Sequence, residues 1–385
     1  MSTDGLRKFI APEYVFGNGA RHLVGQYARK LGARKILLVT DPGVIATGWC
    51  GEVESALEAE HLPYAIFSEV SPNPRAEEVM NGAAVYAAEQ CNLIVAIGGG
   101  SPMDCAKGIG IVAVHGRNVL EFEGVDQVTL PIPPLICIPT TAGTSADVSQ
   151  FAIITDRSEK VKIAIVSKSM VPDLALIDPQ TLVSMDPYLG ACTGIDALTH
   201  AIEAFVSNAN SPMTDIHALE AIRLLSEHLL PSLHNPQDLQ LRGKVMLASL
   251  QAGLAFSNAI LGATHAMAHS LGGYLDLPHG ECNAILLDHV VAFNLSASPE
   301  RFDAISEALG LDLHGLERRE RDAALLARLR DIKLQAGVSC PLGELGVKST
   351  DLKQLSFHAA ADACLVTNPR KASRDDLESI YAEAL

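Results

Sequence analysis

Residues 92–114 read NLIVAIGGGSPMDCAKGIGIVAV, a short apolar run that stops at three glycines and continues into a stretch able to form a helix. NLIVAIGGG (Asn92 to Gly100) has the length and β-branched content of a buried strand, and its glycines supply the turn that follows. The same pattern recurs around it. ARKILLVTD (Ala33 to Asp41) and PLICIPTT (Pro134 to Thr141) read as further buried strands, the second approached by the stiff PIPP of 131–134. AEEVMNGAAVYAAEQ (Ala76 to Gln90) carries apolar residues at helical intervals. Strand, helix and strand at this rhythm predict a parallel sheet with helices on its faces.

Beyond Met185 the character changes. GIDALTHAIEAFV, TDIHALEAIRLLSEHLL, RGKVMLASLQAGLAFSNA and DDLESIYAEAL are helical in period and poor in β-branched runs, and Asp186-Pro187 suits a turn before a new helix. With roughly 150 residues per domain, the expectation is two domains: 1–186, an α/β domain (parallel sheet, Rossmann-like), and 187–385, an all-α domain.

Hydrophobic residues are 48% and charged residues 19% of the chain, enough apolar surface to offset chain entropy and too little charge for disorder. The formal net charge of -16 argues against nucleic acid and anionic membranes as partners. The N-terminal stretch MSTDGLRKFIAPEYVFG lacks an apolar h-region, and no run reaches the roughly 18–20 apolar residues of a span, so a cytoplasmic location is expected. Eight cysteines are scattered without a C-x-x-C pair, as suits buried thiols, Cys105 and Cys282 among them.

The three glycines Gly98, Gly99 and Gly100, followed by Ser101, would let a backbone approach a pyrophosphate at a helix start, where free N–H groups favour anions. This is not G-x-G-x-x-G, and a purely structural turn is an equal reading. Thr140-Thr141-Ala142-Gly143-Thr144-Ser145 forms a second small polar loop at a strand end, the usual ligand side of an open sheet. Asp41 closes the first strand, where a carboxylate could hold an adenosine ribose and favour NAD over NADP, or could simply start the turn Asp41-Pro42-Gly43.

Asp196 and His200 are four apart in a helical stretch, so both project from one face. His265 and His269 repeat that spacing, and His279 follows beside Pro278 and Gly280 at a loop or helix start. Any one of the thirteen histidines is more often structural than a ligand; three within 265–279 beside a D-x-x-x-H pair are not. One carboxylate with two or three imidazoles suits Fe²⁺ or Zn²⁺ with an open position for an oxygen ligand, and leaves His269 as ligand or neighbour.

TTAGT (Thr140 to Thr144), GIDALTHAIEAF (Gly194 to Phe205), AFSNAILGATHAMAHSLGG (Ala255 to Gly273) and PHGECNAILL (Pro278 to Leu287) closely resemble the iron-containing, group III alcohol dehydrogenases. GGGSPMDCAKGI (Gly98 to Ile109) and TNPR (Thr367 to Arg370) extend the resemblance over nearly the whole chain. It implies a dehydroquinate synthase-like architecture with the site between an α/β part and a helical part. It also implies metal ligands at Asp196, His200, His265 and His279, with His269 beside the nicotinamide as a candidate proton relay or as a neighbour of the ligands. The cofactor positions it implies are Asp41, Asn73, Gly98 to Ser101, Asp104, Thr140, Thr141, Thr144, Ser149, Phe151 and Lys162.

The family usually reads TTAGTGSEVT where this chain has TTAGTSADVS, so Ser145, Ala146, Asp147 and Ser149 stand for glycine, serine, glutamate and threonine. Asp288 replaces a common proline. The chemistry expected is hydride transfer between NAD and a small primary alcohol or aldehyde whose oxygen the metal polarises. Phe205, Phe256 and Leu261 are expected to narrow the substrate pocket. The alternatives are a polyol (glycerol-type) dehydrogenase of the same fold and a low-activity sensor of NAD or alcohol. A homo-oligomer, dimer or higher, is expected from the resemblance and from the frequency of two-fold assemblies.

Overall fold

The computed structural model describes residues 8–385; the head of the N-terminal stretch read above for a leader lies outside the described residues. The N-terminal half contains strands β1 (Glu13–Phe16), β2 (Ile36–Val39), β3 (Tyr64–Phe67), β4 (Leu93–Gly98), β5 (Gly124–Val125), β6 (Leu135–Pro139), β7 (Phe151–Asp156), β8 (Val161–Val166) and β9 (Leu174–Ile177). Its helices are α1 (Val24–Lys30), α2 (Pro42–Thr47), α3 (Trp49–Ala59), α4 (Ala76–Ala88) and α5 (Gly100–His115). Six strands form one parallel sheet in the order β1-β9-β6-β4-β2-β3. β4 is central and completely buried, and its side chains alternate between two cores. Ile94 and Ala96 pack with Val79, Ala83, Met103 and Ile109 of α4 and α5, whereas Leu93, Val95 and Ile97 pack with Val24, Val53 and Leu57 of α1 and α3. Helices on both faces explain why the strand reads as one continuous apolar run.

β7 and β8 form an antiparallel hairpin, with β5 on its edge, in a second small sheet. The sequence reading contained no antiparallel pair.

From Pro187 onward the chain is helical: α6 (Pro187–Val206), α7 (Pro212–His234), α8 (Leu239–Ala259), α9 (Ala263–Leu275), α10 (His279–Asn294), α11 (Pro299–Ala308), α12 (Arg318–Ala336), α13 (Leu352–Ala361) and α14 (Arg374–Glu383). Asp186 caps α6 by accepting from Leu189 N at 3.0 Å, and Pro187 takes the first helical position, where a missing N–H costs nothing. Asp288, without a reading from sequence, ties α10 to α12: Arg330 Nε donates to it at 2.6 Å and the buried Lys333 ammonium forms a second, shorter bond. A proline there would supply neither contact. Among the described residues no single helix is long and apolar enough to cross a membrane, and all eight cysteines are free. Burial raises the Cys105 thiol strongly and pushes Cys282 up to about 12, as fits packing residues.

Candidate active site

One cleft of about 1430 Å³ opens along the C-terminal ends of β2, β4 and β6 and runs between them and helices α6, α9 and α10. Sheet residues Asp41, Gly99, Gly100, Ser101, Asp104, Thr140, Thr141 and Thr144 line one side; Asp196, His200, His265, His269 and His279 line the other. Its volume exceeds that of a pocket for one small ligand and leaves room for a dinucleotide beside a small substrate.

The glycine turn and the threonine loop face each other. A Cβ on Gly99 would come within 3.3 Å of Thr141, and one on Gly100 within 3.0 Å of Thr144, so a side chain at either would crowd the facing loop. Gly99 is the N-cap of α5 and has no side chain to occupy the first-turn N–H groups of a 16-residue helix at the cleft wall. Asn73, Ser149, Phe151 and Lys162 also line the cleft. Lys162 Nζ donates to Asn73 Oδ1 at 2.7 Å, and Asn73 Nδ2 donates to Asp276 Oδ1 at 2.8 Å, which ties the sheet side to the end of α9. Asp104 accepts from Ile153 N at 3.1 Å, and burial pushes its carboxyl up to about 6. Asp41 both lines the cleft and caps α2, accepting from Val44 N at 2.9 Å, so its two readings are compatible.

Two expectations change. Gly98 is not on the cleft wall: it finishes β4, with its carbonyl accepting from Thr140 N at 2.8 Å, so it shapes the turn from behind. Phe205 faces away from the cleft and lies under the Arg301 guanidinium at 3.9 Å, whereas Phe256 and Leu261 do line the cleft. Helical spacing puts Phe205 near the ligands in sequence but on another face of α6.

On the helical side, α6 brings Asp196 and His200, α9 brings His265 and His269, and His279 is the first residue of α10. Asp196 Oδ1 lies 4.0 Å from His200 Nε2, 3.6 Å from His265 Nε2 and 3.9 Å from His279 Nε2. Four donors arranged tetrahedrally at about 2.0–2.2 Å from a divalent ion would be roughly 3.4 Å apart. Asp196, His265 and His279 offer donor atoms within 4.8 Å of one another, a spacing that such an ion could draw in; His200 is 4.0 Å from Asp196 but not that close to all three, so its imidazole would have to move further to join them. Two nearby buried polar atoms, Asn283 Oδ1 and His279 Nδ1, have no partner, a cost to be expected at a site built around a further charged group.

The electrostatics point the same way. Burial opposes charge on Asp196, yet His200, His265 and His279 together hold its carboxyl far below the usual range. Burial lowers His200 to about 4 and drives His279 well below its usual value. Burial also opposes a charged His265, but the carboxylates of Asp196 and Glu203 outweigh it and push it up to about 9. A proton on His265 would balance the buried negative charge in the absence of an ion; a divalent cation would displace it.

Three residues missed in the sequence complete the surroundings. Glu203 Oε2 accepts from His265 Nδ1 at 2.6 Å; it lies three residues after His200, and that spacing could have revealed it. Asn283 Nδ2 donates to Asp196 Oδ1 at 2.7 Å and lies 3.1 Å from both His265 Nε2 and His279 Nε2. It follows His279 by one helical turn, also a legible spacing. Asp362 Oδ2 accepts from His269 Nδ1 at 2.8 Å across 93 residues of chain, a pairing no local pattern announces.

The threonine loop is joined directly to this cluster. His200 Nδ1 donates to Gly143 O at 3.1 Å. A Cβ on Gly143 would lie 2.5 Å from Thr193 O, so glycine alone allows α6 so near the loop.

Comparison with known proteins identifies the family. Residues 11–179 match the family model for iron-containing alcohol dehydrogenase, and residues 190–385 match its C-terminal counterpart. The chain belongs to the iron-containing alcohol dehydrogenase family. It is 40% identical over 371 residues to the 1,3-propanediol dehydrogenase of Klebsiella pneumoniae, covering 96% of each chain. It is 38% identical over 377 residues to the NAD-dependent methanol dehydrogenase of Bacillus methanolicus, covering 98% of this chain and 99% of that protein. A solved structure of a 1,3-propanediol oxidoreductase superposes with a TM-score of 0.96 at 39% identity, covering 99% of this chain and 100% of the other.

Two of the departures in the family's threonine loop, Ser145 and Asp147, can be placed in the structure. Ser145 adopts the left-handed region, φ 49°, where the family's usual glycine is at ease, and its Oγ donates to Ser249 O at 2.7 Å. Asp147 is buried behind the loop rather than on the cleft wall, and burial pushes its carboxyl up to about 6. A Cβ on Gly253 of α8 would lie 2.5 Å from Ser145 Cβ and 2.6 Å from Val148 Cγ2. Gly253→Ala is thus expected to cost about 1–3 kcal/mol by overpacking. Ser145→Gly alone should be close to neutral, a lost hydrogen bond offsetting a relieved backbone. Urea unfolding of the double variant should recover part of the Gly253→Ala loss; strictly additive effects would contradict the contact.

Proposed function

We propose that the protein is a metal-dependent alcohol dehydrogenase that transfers a hydride between a short primary alcohol or diol and NAD, with Fe²⁺, or alternatively Zn²⁺, held by Asp196, His200, His265 and His279. The observation that carries this reading is the convergence of one carboxylate and three imidazole nitrogens on the same cleft as the two glycine and threonine loops. The diol option draws on the propanediol enzymes among its relatives.

When bound, the ion would supply Lewis acidity to the substrate oxygen and NAD would supply the hydride acceptor. The chain's own residues do the rest. The carboxylate of Asp196 offsets one charge of the ion and leaves it cationic. Phe256 stacks on His200 with ring centroids 4.3 Å apart and 18° between planes, which holds that imidazole and keeps water from its face. Phe151, Phe256 and Leu261 give the cleft an apolar wall that suits a small carbon chain. His269 keeps its proton on Nδ1, donating a hydrogen bond to the Asp362 carboxylate, so its Nε2 is the atom that accepts the hydroxyl proton and passes it to solvent.

The cofactor contacts assigned here are Asp41, Asn73, Gly99, Gly100, Ser101, Asp104, Thr140, Thr141, Thr144, Ser149, Phe151 and Lys162, with Gly98 setting the turn. We further assign residues 1–186 to a dinucleotide-binding domain and 187–385 to a catalytic one, a cytoplasmic location, and a homo-oligomer of two or more subunits.

Anaerobically purified, iron-loaded protein should produce NADH from short alcohols and propane-1,3-diol. His265→Ala should lose its iron and roughly a thousandfold in kcat, the equivalent of several kcal/mol of Lewis-acid stabilisation. Full activity without retained metal would overturn the proposal. Asp41→Ser keeps a helix cap but removes the carboxylate. It should lower the ratio of kcat/KM for NAD to that for NADP by about tenfold, one well-placed polar contact; an unchanged ratio would remove Asp41 from cofactor selection.

A further inference from the structure

We propose that Glu203 is the positioning residue that makes His265 a metal ligand, by pinning the imidazole proton on Nδ1 and leaving the Nε2 lone pair for the ion. The inference rests on the metal role just proposed for His265 and extends it to a residue outside the donor set.

Glu203 shares a face of α6 with Asp196 and His200, at helical spacings of seven and three residues. It is 3% exposed, and its carboxylate meets three donors: Gly262 N at 3.1 Å, Thr264 N at 2.6 Å and His265 Nδ1 at 2.6 Å. The first two belong to the start of α9, the helix that carries His265, so one side chain fixes both the helix and the ring. The approach is tight. A Cβ on Gly262 would lie 3.0 Å from Glu203 Oε1 and 2.8 Å from Asn368 Oδ1, so a larger residue here would have to displace one of these side chains.

A carboxylate only accepts hydrogen bonds, so the ring nitrogen facing it carries the proton. A neutral imidazole has one N–H, and the other nitrogen is then a lone pair. That nitrogen, Nε2, is the one 3.6 Å from Asp196 Oδ1. The other two imidazoles lack a charged acceptor. His200 Nδ1 meets a neutral carbonyl, Gly143 O, at 3.1 Å, and His279 Nδ1 is buried without a partner. His265 alone of the three has a charge-assisted contact on its far side, the arrangement that orients a metal-bound imidazole and raises its basicity as a ligand.

Glu203→Gln preserves shape. If its amide nitrogen faces His265, the ring is forced to carry its proton on Nε2 and cannot ligate; if its oxygen faces His265, the charge is lost. Isothermal titration of ion-free protein with Fe²⁺ under anaerobic conditions should show binding about 10- to 100-fold weaker in Glu203→Gln than in the wild type. An unchanged dissociation constant, even with a lowered melting midpoint, would mean that Glu203 only caps α9, and the inference would fall. A wild type that binds no ion would sink the metal reading itself, and this inference with it. Should the variant fail to fold, the ¹⁵N imidazole spectrum of Zn²⁺-loaded wild-type protein decides: a protonated Nδ1 on His265 supports the assignment, and a protonated Nε2 overturns it.

Discussion

The Asp196 carboxylate is 1% exposed, and an anion so far from water must be matched by positive charge or lose its own. Three imidazoles, none of them a permanent cation, surround it. A second carboxylate, Glu203, lies behind one of these rings. Such a cluster is costly for a fold to bury unless a further cation completes it. α6 supplies two of the four donors, and α9 and α10 must start where they do for His265 and His279 to face them. A side chain at Gly143 would push the threonine loop from α6, and one at Gly262 would crowd the Glu203 carboxylate at the start of α9.

The sheet answers to the same demand. β4 and β6 end at loops whose glycines let them touch, and the second of these loops accepts a hydrogen bond from His200. The surfaces suited to a dinucleotide and to a metal are thus joined by covalent structure and by one carbonyl, Gly143 O. With NAD and the metal on those surfaces, the carbon that loses hydride and the ring that receives it would share one cleft, so positioning would be built into the fold rather than left to diffusion.

Much of this was legible in the chain before any coordinates. β4 declares itself because burial on both faces demands an unbroken apolar run, and Asp196 with His200 declares a helix face because four residues make about one turn. What the sequence hid has physical causes. The β7–β8 hairpin looks like any two short β-branched runs, since strand direction depends on pairing partners and not on composition. Phe205 was misplaced because nearness along a helix is not nearness in space: the neighbouring residue falls on a different face. Asp362 reaches His269 only through the tertiary fold. Glu203 and Asn283, by contrast, lie at helical spacings from the ligands and were overlooked because a lone Glu or Asn has many bland roles. Asp288 gained its explanation only once α12 was seen to bring Lys333 and Arg330 against it.

The central claim, that one divalent cation sits among Asp196, His200, His265 and His279, is tested most directly by anomalous X-ray scattering at the iron edge from crystals of anaerobically prepared, iron-loaded protein. The account predicts a single strong peak per chain within bonding distance of the Asp196 carboxylate and the Nε2 atoms of the three histidines. A peak elsewhere, or iron-loaded crystals with no peak among these side chains, would contradict it.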